Sequence, residues 1–197
     1  RVYMASLKYN YLSVADTKTN RVIQKIGPFG SSIRPFTING AETLAFVNVD
    51  FLSGFEVGDI TTGKKLYRVQ VEGFPWEDPK LPLTQSHGVA LTPDEKEVWV
   101  VDGHNHYLHV FDVTGLPNSA PKQVASIPLT DRPRWINVSR DGRFAHVSTG
   151  EIVSTKTRKT VAKVALSKHY LQIDFAGNVP VQAYSRYGVG YVTRSAP

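Results

Sequence analysis

The sequence contains no cysteine in 197 residues. That absence excludes a disulfide framework, a thiolate metal site and a cysteine nucleophile, and it leaves the redox character of the compartment open. Long hydrophobic runs are also missing, and none approaches the ~18 apolar residues that a membrane-spanning helix needs. No Gly-x-Ser-x-Gly elbow and no glycine-rich phosphate loop occurs, and Ser86-His87 adjacency is not triad geometry. Charge is thin at 20% of residues, and the excess of 23 basic over 17 acidic residues is dispersed. Its densest cluster, Lys156–Lys163, alternates with Thr and Val, which suits the solvated face of a strand better than a nucleic-acid patch. No leader pattern and no initiator Met precede the strand-like opening Arg1-Val2-Tyr3, so the sequence reads as a processed, truncated or partial chain.

Helical periodicity is scarce too. Short runs rich in Val, Ile, Tyr, Phe and Thr recur between Gly, Asn, Asp and Pro punctuation, which predicts an all-β chain. Predicted strands include 35–38, 43–49, 54–60, 65–71, 88–92, 97–102, 107–113 and 123–129. At 41% hydrophobic content the chain is long enough to bury a core.

These segments repeat. One unit runs over 34–71, the next over 87–129 and a third over 133–166, while 2–26 looks like the same unit without its first strand. A strand, a Gly-Asn turn and another strand follow at 170–184. Turn residues recur between strands one and two at Asn39-Gly40, Pro93-Asp94 and Asp141-Gly142. An Asp closes strand three at Asp16, Asp59 and Asp112, spacings of 43 and 53 residues. Four short antiparallel strands repeating every ~40–50 residues are the mark of a β-propeller blade, whose two apolar faces only neighbouring blades can cover. The sequence therefore predicts a single propeller domain or propeller fragment with units near 1–30, 31–85, 86–131, 132–168 and 169–197, about four to five blades. A β-sandwich is the competing architecture, but it has no need for turn chemistry that repeats.

The pattern of "TPDEKEVWVVD", "LHVFDVTG" and a closing "ASIPL" resembles the YVTN-type propeller repeats of bacterial and archaeal secreted and surface-layer proteins, over about residues 2–166. That resemblance implies a propeller and an extracytoplasmic location: periplasmic, secreted or cell-surface. It spans several functions, because similar repeats occur in adhesion proteins, lactonase-like enzymes and the propeller domains of periplasmic redox enzymes. Family rings typically close with seven blades. The present chain is thus part of a larger ring, a small ring, or one of two chains that complete a ring together, with 189–195 a candidate sealing strand. Unsealed end blades would expose edges that invite self-association.

Propeller topology puts the segment entering strand one and the loop joining strands two and three on the same face. That face should carry His87 together with His104 and His106. Neutral imidazoles can bind a divalent transition metal, so these three form a candidate metal site, with polar loop residues as the alternative. His109 falls inside strand three and His146 inside strand two of the next unit. The same face gathers Arg34, Arg132, Arg134 and Trp135, a cationic, partly aromatic mouth suited to an anionic ligand. Alternatively, these arginines pair with Asp50, Asp102, Asp131 or Glu151 and tie blades together. The proline-rich insertion 72–85 is either a lid or partner contact, or an edge cover.

The expected function is an extracytoplasmic propeller that binds a small anionic ligand or a protein partner, with no nucleic acid and no membrane span. The alternatives are a metal-dependent lactonase-like hydrolase using His87, His104 and His106, and the propeller domain of a periplasmic redox enzyme.

Overall fold

The computed structural model describes residues 1–75, 85–164 and 172–184, the last three of these by backbone alone. The insertion tip at 76–84 and the candidate sealing strand at 189–195 lie outside the described residues.

The fold is an all-β propeller of antiparallel blades. The first sheet has three strands, β1 (Val2–Met4), β2 (Leu12–Asp16) and β3 (Arg21–Ile26). The second has four, β4 (Ile33–Ile38), β5 (Leu44–Val49), β6 (Gly54–Asp59) and β7 (Lys64–Gln70). The third comprises β8 (Val89–Leu91), β9 (Glu97–Asp102), β10 (Tyr107–Asp112) and β11 (Lys122–Pro128), and the fourth β12 (Ile136–Val138), β13 (Phe144–Val147), β14 (Glu151–Ser154) and β15 (Thr160–Lys163). A hairpin of β16 (Gln172–Ala176) and β17 (Val179–Tyr184) follows. Within each four-stranded sheet the strands pair in chain order, and the innermost strands β4, β8 and β12 stand beside one another. Counting back from Asp16 places β1 as a second strand, so among the described residues the first sheet has no counterpart of the inner strand that the next three possess.

Alternation along each strand sends side chains to opposite faces, and both faces are apolar, so the core forms between blades. Ala45, Val47 and Val49 meet Leu12, Val14 and Ile26 of the first sheet. Phe46, Phe55 and Val57 point the other way, against Val89, Val98 and Phe111 of the third, with the Phe55 and Phe111 rings edge to face at 5.1 Å. Trp99, Val101 and Leu108 then pack on Ile136, Ala145 and Val147 of the fourth. Each buried Val, Leu, Ile or Phe among them contributes roughly 1.5–3 kcal/mol. On the first sheet and the last hairpin, Val22, Ile23, Phe175 and Val179 are all more than half exposed, at 55%, 53%, 59% and 63%.

The repeated aspartates are turn caps. Asp16 accepts the N–H groups of Lys18 and Thr19, Asp59 those of Thr61 and Thr62, and Asp112 that of Thr114. Such side chain to backbone bonds satisfy donors that a tight turn leaves unpaired.

Three residues before the end of the third strand in each four-stranded sheet sits a buried polar group: Glu56, His109 and Glu151. Each faces a fourth-strand partner and the chain arriving from the preceding blade. Glu56 accepts from Arg68 at 2.9 Å and from the Gly30 N–H at 2.7 Å. Glu151 accepts the Thr130 N–H at 2.8 Å and lies 3.8 Å from Lys163. His109 bonds Ser126 and carries the Phe74 ring against it at 4.7 Å. These groups fasten each interblade crossover to the next sheet.

Candidate functional site

The turn between second and third strands lies against the segment entering the first strand in all three complete blades. Asp50 N–H donates to Ser32 O, Gly103 N–H to Gln85 O, and Ser148 N–H to Trp135 O. This end of the disc therefore collects the residues at the entrances to β4, β8 and β12. Gly88 permits the close approach of the last two, since a Cβ there would lie 2.8 Å from the Arg134 carbonyl oxygen.

Arg34 spends its charge within its own blade. Its Nε and Nη2 donate to the two Asp50 carboxylate oxygens at 2.7 and 2.9 Å, a bidentate pair. The tie between arginine and aspartate that the sequence offered as an alternative thus holds for Arg34. It does not extend to the other two. Asp102 is turned to His109 and Asn105, and Glu151 to Thr130, while Asp131 accepts the backbone N–H of Arg132. Arg132 and Arg134 are exposed, flank the buried Pro133, and have no ion-pair partner among the described residues.

The backbone beneath them is fixed. Ser148 Oγ accepts the N–H of Arg134 at 2.8 Å and of Trp135 at 3.1 Å. Proline cannot donate and confines the residue before it to extended conformations, so Arg132 and Arg134 are held on a stiff segment. The half-buried Trp135 indole meets His87 edge to face, ring centroids 4.5 Å apart. Burial, then the Arg134 guanidinium and more weakly Arg34, hold His87 below the ordinary imidazole value, against the opposing effect of its own carbonyl and that of Arg134. His87 is therefore neutral at pH 7 within a cationic surround. Arg34, His87, Arg134 and Trp135 come together, as the repeat topology predicts, and Arg132 stands over the adjoining Gly103 turn.

The candidate metal site is not assembled. His104 and His106 are exposed on the turn capped by Asp102, His106 with a φ of 62°, whereas His87 is packed on Trp135. Among the described residues no three His, Cys, Asp or Glu side chains converge to hold an ion. The reason is local: Asp102 accepts the N–H groups of His104 and Asn105 and so tightens the turn on its own backbone.

The cluster that sequence reasoning missed is Asp102, His109 and Ser126. Asp102 and His109 are fully buried, with His109 Nε2 3.3 Å from Asp102 Oδ2 and Nδ1 2.9 Å from Ser126 Oγ. Burial pushes the Asp102 carboxyl up, but bonds from His109 and Asn105 outweigh it and hold the pKa below the usual value. The carboxylate can only accept, so Nε2 donates to it. Gln123 donates to Ser126 Oγ and exchanges bonds with the Glu72 backbone, sealing the cluster beneath 72–74. The signal was the alignment of His109 with Glu56: a polar residue recurring at one strand position. This enclosure marks the cluster as a fastening of the fold, distinct from the open mouth.

No family model and no curated protein sequence matches the chain. Among solved structures it is similar to hydrazine synthase of Kuenenia stuttgartiensis, at a TM-score of 0.70 and 14% identity over 87% of this chain. The likeness covers 48% of the hydrazine synthase chain, so the present chain spans about half the length of that relative, and what they share is the fold.

Proposed function

We propose that this propeller module binds an anion at the mouth built by Arg132, Arg134, Trp135 and His87. The ligand is a small anionic molecule or an anionic group carried by a protein partner. The observation behind this reading is the pair of guanidiniums on the stiff 132–134 segment that have no ion-pair partner among the described residues, beside a half-buried indole, while Arg34 is already paired with Asp50. Guanidinium forks recognise carboxylate, sulfonate or phosphate oxygens, and the indole supplies a stacking surface. The resemblance of the repeats to YVTN-type propellers supports an extracytoplasmic setting for that role. The exposed apolar faces of the end sheets favour self-association there.

Replacing Arg134 and Trp135 together by Ala tests the assignment. Loss of a single charge-assisted hydrogen bond is worth about 1.5–3 kcal/mol. Affinity for an aromatic sulfonate, measured by calorimetry, should therefore fall at least tenfold, or roughly 1.4 kcal/mol. Unchanged affinity in a folded double variant would remove the mouth as the binding site.

A further inference from the structure

We propose that anion binding at the mouth is coupled to proton uptake by His87. The inference rests on the reading of the mouth as an anion site and adds to it a built-in control by pH.

His87 is wedged between cations and an aromatic wall. Trp135 presents its ring to it at 4.5 Å, and the entrance to β12 brings Arg134 from the fourth blade. From the second blade Arg34 faces it, its charge shared with Asp50. In its own blade the neighbouring turn carries Asp102, whose carboxylate is committed to His109 and Asn105, and the exposed His104 and His106. His87 Nδ1 is buried without a hydrogen-bond partner among the described residues, and the only opposing influence there comes from its own carbonyl and that of Arg134. Among the described residues no free carboxylate compensates a charge on this ring, so without an anion the neutral form is preferred.

An anion seated on Arg132 and Arg134 reverses that balance. It cancels the guanidinium charge that opposes protonation and supplies an acceptor close to the ring. The imidazolium then becomes the third positive group of the site. By linkage, whatever raises the proton affinity of His87 on binding must tighten binding in the same ratio when the proton is already present. The direction follows: affinity rises as pH falls through the bound-state pKa and levels off below that of the empty protein. Above both values the two events are independent.

Benzenesulfonate is a suitable probe, being flat, anionic and unchanged in charge from pH 5 to 8. The experiment follows the His87 and Trp135 resonances of the whole chain by NMR across that range, with and without saturating probe. Calorimetric titrations at both ends of the range accompany it. The expected result is an upward shift of the His87 titration midpoint on binding, with affinity roughly fivefold or more higher at the acid end, the lower bound of ordinary coupling between sites. In the His87→Gln variant the pH dependence should vanish, affinity at pH 5 equalling affinity at pH 8 whatever its absolute value. If the probe moves the Trp135 signals while the His87 midpoint stays fixed, the coupling is wrong and the anion site stands. If no mouth resonance responds at any pH, both fall.

Discussion

At the scale of single residues, His109 separates what stabilises this chain from what it offers to a ligand. It is a fully buried ring that donates to the Asp102 carboxylate, bonds Ser126 and supports Phe74. His109→Phe keeps most of the volume but removes the donor, leaving part of a buried carboxylate's hydrogen bonding unmet. A cost of about 1–3 kcal/mol follows, to be read as a lower midpoint in urea at unchanged slope. Benzenesulfonate affinity should be unaffected, because the cluster is closed off from the mouth. Glu151 makes a second residue-level case. Burial raises its pKa, but the Thr130 hydroxyl and backbone bonds prevail and bring it down to about 2. A depressed carboxylate stabilises the fold above the ordinary glutamate range and loses that contribution as pH falls toward the folded value. Glu151→Gln should therefore flatten the acid limb of the stability curve between pH 4.5 and about 2, while leaving the region above pH 6 sloped as before.

At the scale of elements, the strands were legible in the sequence and the fastenings were not. The expected strand at 97–102 is β9, that at 107–113 differs from β10 only by its last residue, and Asp59 and Asp112 end their strands as the repeat foretold. Alternation and turn chemistry are local properties, so local sequence reports them. The choice of partner for a buried group is a property of two blades at once. Nothing near Arg34 in the sequence shows that Asp50 takes its charge while Asp102 is reserved for His109. Arg34, His87, Arg134 and Trp135 could be placed on one face from the sequence because topology alone brings the entrances of inner strands together. For His87, His104 and His106, same-face placement does not set side-chain direction within a capped turn, so the sequence could not say whether they converge. Gly88 offers the test at this scale. A methyl group there would press on the Arg134 carbonyl and on Val101, so Gly88→Ala should cost about 1–3 kcal/mol through overpacking. It should also weaken benzenesulfonate binding by displacing the 134–135 backbone, whereas the same loss of stability at His109 should not.

At the scale of the whole molecule, stability comes from blade against blade, and the two end sheets show what an unpaired blade looks like. Val22 and Ile23 on β3, and Phe175 and Val179 on the last hairpin, hold their apolar side chains in water. Sedimentation at rising concentration should reveal association, and charged substitutions at Val22 and Ile23 or at Phe175 should reduce it; a monomer at all concentrations would show that these faces do not mediate self-contact. The central claim concerns the mouth, and the most direct measurement is a crystal soaked in iodide and examined by anomalous scattering. The account predicts an iodide in contact with the Arg132 or Arg134 guanidinium and the Trp135 ring. An empty mouth, with iodide bound instead along the Lys156–Lys163 surface, would contradict it.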